Sequence, residues 1–384
     1  MPNPAANESV ASLLNETQGP TFDLVKVHVG QAFKHERQLI RARFSPDGKF
    51  VAAAGLDKLI HVWELESGKK HTLPGHATWV SSLIFNPRDR QLFTADFHGT
   101  IHCWDFATPD SKPLFTITGA DAKITRALAV TLDGAHVLSG GDDCTVRVWS
   151  TKDGAKVKQW PGHKGCIFSL AVHPDGKSIA SGDLFGVVKH WDFATDKCVR
   201  DLDAKLLHTR KEEFIADVGG VRSIAFDAKG TSMACGGLSN AESNAFCPGT
   251  PLALLFDWGT GKKMQEFKLA TKSDGPINAV RFLQNGMIAG FGETQNGAQT
   301  ELAFWQPDKS EPMHSLKVQS GYDLDIHPDG LRLLAPLFIP MGSGGNGARA
   351  QQKAKYLPNA SVVQVFNLYA DPKAKQPGNA KKKA

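Results

Sequence analysis

The chain lacks any long apolar run and any obvious targeting segment. No stretch of its 384 residues reaches the roughly 18 apolar residues that cross a bilayer. The first twenty residues, MPNPAANESVASLLNETQGP, have neither the basic start nor the apolar centre of a secretory signal. The six cysteines include no CxxC pair, which argues against a disulfide framework or a zinc motif. We therefore predict a cytoplasmic protein with free thiols and no membrane partner.

Motifs for catalysis are also missing. The sequence has no GxSxG, HExxH, phosphate-loop or dinucleotide-binding motif in a suitable context. The glycine-rich run at 342–347 is not followed by Lys-Ser or Lys-Thr, so we interpret it as a flexible linker. The net charge of +5 is small, and much of it lies in the lysine-rich C-terminus. These absences predict a protein that is not an enzyme, uses no cofactor or metal, and has no strong affinity for nucleic acid.

What the sequence does contain is a repeat built from two alternating motifs. The first is a turn motif with seven copies: FSPDG (44–48), FNPRD (85–89), VTLDG (130–134), VHPDG (172–176), FDAKG (226–230), FLQNG (282–286) and IHPDG (326–330). The second ends a β-prone stretch after each turn: HVWEL (61–65), HCWDF (102–106), RVWST (147–151), KHWDF (189–193), LLFDW (254–258), LAFWQ (302–306) and VQVFN (363–367). Alternating apolar residues between the motifs predict four short antiparallel strands per repeat.

The spacing within these repeats resembles that of the WD40 family. Gly75-His76 lies 28 residues before Trp104, and Gly162-His163 lies 28 before Trp191. The resemblance implies an all-β fold, a seven-bladed β-propeller of four-stranded antiparallel blades over residues 22–369. It also implies that the N-terminal strand, within 22–33, closes the last blade. Residues 1–21 and 370–384 are then predicted to be disordered.

In that family a relay of His, Ser or Thr, Trp and Asp often braces each blade. The candidates for this structural role are His35, Asp57 and Trp63 in the first repeat; His76, Thr94 and Trp104 in the second; Ser139, Asp143 and Trp149 in the third; and His163, Ser181 and Trp191 in the fourth. Each set lacks one member, because Ala53, His98, Asp121 and Phe185 stand at the remaining positions. We therefore expect these blades to depend more on apolar packing than on a buried polar network.

One face of the propeller is predicted to bind a partner, because all the long insertions fall on it, at 203–219, 239–251, 292–300 and 339–359. The same face receives the residue five positions after each His position, namely Ile40, Ser81, Arg126, Phe168, Arg222, Asn278 and Tyr322. Trp79, Phe97, Leu184 and Phe185 adjoin them. Aromatic residues and arginine often dominate binding energy at interfaces, so this set is the candidate partner site.

The sequence thus favours a non-catalytic scaffold for a protein or peptide partner, acting as a monomeric propeller within a larger assembly. Two alternatives stay open. One is a propeller enzyme, such as a hydrolase or lactonase-like protein, with a cation held at the channel mouth by Asp323 and Asp325. The other is a nucleic-acid-associated protein that binds through its basic tail and Arg126.

Overall fold

A computed structural model describes residues 21–243, 248–269, 274–292, 300–339, 348–349, 356–357 and 359–370. The predicted disordered termini lie outside these ranges, apart from the two boundary residues Thr21 and Ala370, and so does the glycine-rich run at 342–347. Within the described ranges, no helix is long and apolar enough to cross a membrane.

Seven four-stranded antiparallel sheets, which we number as blades one to seven, account for most of the chain. Blade one consists of β2 (Leu39–Phe44), β3 (Phe50–Gly55), β4 (Leu59–Glu64) and β5 (Lys70–Pro74). Blade two consists of β6 (Val80–Phe85), β7 (Gln91–Asp96), β8 (Ile101–Asp105) and β9 (Phe115–Ile117). Blade three consists of β10 (Thr125–Val130), β11 (His136–Gly141), β12 (Thr145–Ser150) and β13 (Lys156–Pro161). Blade four consists of β14 (Ile167–Val172), β15 (Ser178–Asp183), β16 (Val187–Asp192) and β17 (Lys197–Asp203). Blade five consists of β20 (Ser223–Phe226), β21 (Ser232–Ser239), β22 (Thr250–Asp257) and β23 (Lys263–Lys268). Blade six consists of β24 (Ile277–Phe282), β25 (Ile288–Gly292), β26 (Thr300–Trp305) and β27 (His314–Val318). The predicted seven-bladed propeller is confirmed.

Blade seven is assembled from both ends of the chain. Its strands, from the channel outwards, are β28 (Asp325–Ile326), β29 (Arg332–Ile339), β32 (Ala360–Asn367) and β1 (His28–His35). The pairing of β1 with β32 runs from His28 opposite Asn367 to His35 opposite Ser361. The N-terminal strand therefore closes the ring as predicted, although it begins at His28 and follows a 3-10 turn, Leu24–Lys26.

Two further strand pairs and one 3-10 turn lie between the blades or within blade seven. They are β18 (His208–Thr209) with β19 (Val218–Gly219), β30 (Ala348–Arg349) with β31 (Tyr356–Leu357), and the 3-10 turn Lys205–Leu207.

The apolar core lies between neighbouring blades. Where blade one meets blade two, for example, Ile60 and Val62 of β4 pack in one cluster with Leu83 and Trp104 of the next sheet. Alternate residues of each strand point to opposite faces, so every inner strand contributes to the clusters on both of its sides. The motif aromatics Trp104, Phe256 and Trp305 are almost completely buried.

The HPDG turns connect neighbouring blades through their histidines. The His327 ring of blade seven contacts the turn of blade one, with Nε2 2.9 Å from the Gly48 carbonyl oxygen. Gly48 has a φ of 70°, and a Cβ there would lie 2.3 Å from His327 Nε2. Glycine is needed at this turn both for the left-handed backbone and for the close approach of the ring.

Candidate partner-binding face

The starts of the innermost strands are irregular at the positions where the sequence predicts partner contacts. In β2 the register shifts between Leu39 and Arg41, which leaves Ile40 unpaired opposite β3. The same shift occurs in β6, β10, β14 and β24, where the skipped residues are Ser81, Arg126, Phe168 and Asn278. A β-bulge turns the extra residue out of the regular alternation and away from the sheet faces. The bulges thus direct these side chains towards the axis of the propeller.

All seven predicted positions meet at one end of the central channel. They line a cavity of about 590 Å³, and we call this set the mouth: Ile40, Ser81, Arg126, Phe168, Arg222, Asn278 and Tyr322. Phe97, Arg41 and Ile124 complete the lining. One side chain from each blade therefore contributes to a single concave surface.

Phe168 lies between two arginines of the neighbouring blades. The guanidinium carbon of Arg222 lies 4.3 Å from the centre of its ring, and that of Arg126 lies 5.2 Å from it. Arg126 also forms an ion pair with Asp142. Stacking on an aromatic ring orients a guanidinium and stabilises each pair by roughly 0.5–2 kcal/mol. The mouth therefore presents charged groups whose positions are restrained before any partner arrives.

The remaining predicted contacts lie beside the mouth. Trp79 is 44% exposed, and its ring contacts Phe97 edge to face at 5.6 Å between centroids. Leu184 and Phe185 follow β15 and are half-buried. The Phe185 ring meets His208 of the next insertion at 5.4 Å. Trp79 and Phe97 thus extend the mouth outwards, whereas Phe185 packs against an insertion.

The insertion at 203–219 is folded. Its strands β18 and β19 pair, and Phe214 and Val218 form a small separate core with Leu238 and Ala241 of blade five. Ile215 stays 92% exposed at the tip. Antiparallel strand order puts this insertion and the second-to-third-strand turns at the mouth end of the propeller. Most of the insertions at 292–300 and 339–359, and part of 239–251, lie outside the described residues.

Below the mouth, the channel holds the two carboxylates that the sequence suggests as cation ligands. Asp323 forms an ion pair with Arg43, and its Oδ1 lies 3.6 Å from Arg281 Nη2. Asp325 Oδ2 accepts a hydrogen bond from the backbone N–H of Phe44 at 2.9 Å. These carboxylates therefore join blade seven to blade one, and their oxygens face guanidiniums that would repel a cation. This arrangement argues against the alternative in which the two carboxylates hold a cation.

Burial and the neighbouring arginines together explain the opposite pKa shifts of these two acids. Burial raises the pKa of Asp325 despite its proximity to Arg43 and Arg281. Burial alone would also raise the pKa of Asp323, but Arg43, Arg41 and Arg281 together hold it below its usual range. Of the arginines that line the channel, Arg41, Arg43 and Arg281 were missed from the sequence. Arg41 and Arg43 alternate along β2, as Asp323 and Asp325 do at the start of blade seven.

The structural relay is complete in blades two and four, contrary to expectation. Trp104 Nε1 donates to Thr94 Oγ1 at 2.8 Å, and Thr94 Oγ1 lies 2.7 Å from His76 Nε2. His76 Nδ1 lies 3.0 Å from Asp96 Oδ2. The missing acid is therefore Asp96, at the end of β7, and not the residue at position 98, two residues further along. Blade four repeats the arrangement with His163, Ser181, Trp191 and Asp183.

Blade one uses two histidines in place of the absent hydroxyl. His35 Nε2 and His61 Nε2 both lie 2.7 Å from Asp57 Oδ2. Burial alone would raise the pKa of Asp57, but the two imidazole donors hold it well below its usual range. The potential ligand atoms lie within 4.8 Å of one another, close enough for a metal ion. However, Lys70 Nζ lies 3.3 Å from His35 Nδ1, and its positive charge opposes a cation there.

Blade three has an acid, Asp121, where blades one, two and four have histidine. Trp149 Nε1 donates to Ser139 Oγ at 2.9 Å, as the relay requires. Asp121 then faces Asp143, whose backbone N–H lies 3.4 Å from Asp121 Oδ2. Burial and the neighbouring Asp143 raise the pKa of Asp121 to about 6. In blade one Ala53 leaves the His35–Asp57 pair without a hydroxyl link to Trp63, as the sequence indicates.

Comparison with known proteins agrees with the blade plan. Residues 30–64, 67–105, 111–150 and 154–192 each match a family model described as "WD domain, G-beta repeat". Similar curated proteins include the guanine nucleotide-binding protein subunit beta of Arabidopsis thaliana, which is 29% identical over 51% of this chain and 54% of its own length. Target of rapamycin complex subunit wat1 of Schizosaccharomyces pombe is 29% identical over 40% of this chain and 48% of its own.

Another relative is the cilia- and flagella-associated protein 52 of Chlamydomonas reinhardtii, 29% identical over 42% of this chain and 26% of its own length. The aligned part of this chain thus spans about half the length of these relatives, or less. All seven blades share one strand plan. Four of the chain's repeats match the WD-repeat family model, and the fold is a seven-bladed β-propeller.

Proposed function

We propose that this chain is a non-catalytic scaffold that holds a protein or peptide partner at the mouth. The observation that carries the proposal is the convergence of seven side chains, one from each blade, around a cavity of about 590 Å³. Such a concave surface accepts an extended segment or a projecting side chain.

The chemistry of the mouth favours protein recognition. Arg126, Phe168, Arg222 and Tyr322 are of the types that dominate binding energy at protein interfaces. Arg126 and Phe168 stand on β-bulges of a closed ring, which limits the conformational entropy lost when a partner binds. The folded insertion at 203–219 adds the exposed Ile215 to the same face.

The relatives support an assembly role through their names alone. Two are named as subunits, one of a guanine nucleotide-binding protein and one of the target of rapamycin complex. For this chain the corresponding proposal is a propeller that acts within a larger assembly. A cytoplasmic location belongs to the proposal and is favoured by the free cysteines, which persist in reducing compartments.

Affinity purification followed by mass spectrometry tests the proposal. The wild-type chain is compared with Arg126→Glu/Arg222→Glu, which reverses two charges at the mouth. The control is Lys152→Glu/Lys177→Glu, which makes the same change of charge at two exposed turns on the opposite face. We expect the mouth variant to lose specific partners that the wild type and the control retain.

A second variant guards against loss of folding in the first. Trp79→Ala removes a ring that is 44% exposed, so its effect on folding should be small. We expect this variant also to weaken partner recovery. If both mouth variants keep the same partners as the wild type, the mouth is not the binding surface and the proposal is wrong.

A further inference from the structure

Positive charge is concentrated along the inner wall of the channel. Five arginines line the cavity below the mouth: Arg41, Arg43, Arg126, Arg222 and Arg281. They come from blades one, three, five and six, and they line a partly open space of about 440 Å³. Unlike surface arginines, these side chains point into a confined space in which charge is screened less than in bulk water.

Carboxylates balance only part of this charge. Among the described residues, three acids form ion pairs with these arginines, namely Asp142, Asp323 and Asp325. Asp323 and Asp325 are further committed to backbone N–H groups of β2, at Ala42 and Phe44. Within the described part of the chain, the five guanidiniums of the channel thus outnumber the three carboxylates paired with them here.

Arg41 connects the two levels of the channel. Its Nη1 donates to the carbonyl oxygens of Tyr322 at 3.1 Å and of Ile40 at 3.3 Å. Burial lowers the pKa of Arg41, and the positive charges of Arg43 and Arg126 lower it further, although Asp323 acts against this effect. An anion close to Arg41 would relieve the like-charge repulsion among the three guanidiniums.

We propose that the mouth binds an acidic peptide segment of the partner, with a glutamate or aspartate carboxylate placed among Arg41, Arg126 and Arg222. This inference rests on the proposed scaffold function and specifies the chemistry of the partner. Arginine suits the role because its fork of N–H donors matches a carboxylate. Phe168 holds two of the three guanidiniums in position, and the Asn278 amide lines the same cavity.

Labelled peptides and fluorescence anisotropy provide the test. The probe is a fluorescein-labelled hexaglutamate, and hexaglutamine and hexalysine carry the same label as controls. We expect hexaglutamate alone to bind, with an affinity that falls as salt rises. Arg126→Gln/Arg222→Gln should weaken binding at least about tenfold. Lys152→Gln/Lys177→Gln, which removes the same charge from the opposite face, should leave binding unchanged.

Three results would overturn the inference. The first is an equal loss of hexaglutamate affinity in the mouth variant and the control variant, which would mean that only the net charge of the protein matters. The second is tight binding of a phosphoserine peptide with none of hexaglutamate, which would assign the mouth to phosphate instead of carboxylate. The third is a single-stranded oligonucleotide that competes fully with hexaglutamate and is equally sensitive to the mouth variant. If the double variant does not fold, Arg41→Gln gives the same test.

The scaffold proposal and this inference fail in different ways. If hexaglutamate does not bind but the mouth variants still lose partners in affinity purification, the partner is not acidic and the scaffold proposal stands. If no mouth variant changes the recovered partners, the scaffold proposal falls, whatever the peptides show.

Discussion

The carboxylate of Asp96 sets the direction of the buried hydrogen-bond chain in blade two, and the hydroxyl of Thr94 completes that chain. An ionised Asp96 can only accept, so His76 donates to it from Nδ1, and a neutral imidazole in this tautomer accepts at Nε2. Thr94 then donates to His76 and accepts from the indole N–H of Trp104. Every donor and acceptor in the chain is used, which is what makes such a buried network favourable.

Thr94→Val should destabilise the protein by about 2–4 kcal/mol, because it removes two hydrogen bonds and leaves the Trp104 N–H and His76 Nε2 buried without partners. Denaturant unfolding measures the change in the free energy of unfolding. Thr108→Val, at an exposed position, is the control and should change it by less than about 0.5 kcal/mol. If Thr94→Val lowers the free energy of unfolding by no more than the control does, the relay does not stabilise the blade.

Buried histidines make the stability of the protein vary with pH in the mildly acidic range. Burial, reinforced by the neighbouring His76, lowers the pKa of His102 to about 4. In the unfolded chain it returns to about 6.5, so the unfolded state binds more protons between these values. The stabilisation is thus fully present above about pH 6.5 and is lost as pH falls towards 4. With allowance for solvent screening, we expect a loss of about 1–2 kcal/mol from His102.

His102→Gln should therefore reduce the loss of stability between pH 7 and pH 5, measured by urea unfolding at both values. The comparison with wild type cancels the opposite contribution of Asp121, whose raised pKa of about 6 makes its contribution decline as pH rises. His98→Gln, at an exposed histidine four residues earlier, should behave like the wild type. An unchanged pH dependence in His102→Gln would mean that another group is responsible.

At the scale of single strands, the sequence predicted what local rules determine. Alternation and PDG turns located the strands because both signals act within a few residues. The mouth position, on or just before each innermost strand, was found by counting five residues from the His position of each repeat, and the structure places all seven such residues around one cavity. That they bind a partner stays a prediction.

Other features could not be predicted from the sequence, because they depend on contacts between distant parts of the chain or on a small shift in strand ends. Asp96 and Asp183 stand two residues before the position that the family pattern indicates, yet each reaches the same histidine nitrogen. Both follow the relay hydroxyl by two residues, and this spacing was the available signal. The ion pair of Arg43 with Asp323 joins residues 280 positions apart, so no local sequence pattern predicts it.

For the whole molecule, sequence repeats and structural blades are out of step. The first matched repeat, 30–64, begins within β1 of blade seven and ends with β4 of blade one. Each later repeat that matches the family model likewise begins near the outer strand of one blade and ends in the third strand of the next. This offset couples neighbouring blades covalently, and at the chain ends it requires a non-covalent closure by β1.

Removing residues 1–35 should therefore destabilise the whole ring. The deletion takes away β1, leaves the eight-residue strand β32 as an open edge, and removes the buried Phe33 from a cluster shared with Trp63 and Val363. Loss of a large core side chain alone costs about 3–5 kcal/mol, a sizeable part of the stability of a typical domain. An exposed edge strand also favours pairing between molecules.

Thermal unfolding and size-exclusion chromatography measure both effects. We expect the shortened chain to unfold at a clearly lower temperature and to form oligomers, while removal of residues 1–20 alone should change neither property. A synthetic peptide of residues 22–35 should restore the monomer, because it can pair with β32 in the register of His28 with Asn367 and His35 with Ser361. A chain without residues 1–35 that stays monomeric and unfolds at the original temperature would show that β1 does not hold the ring closed.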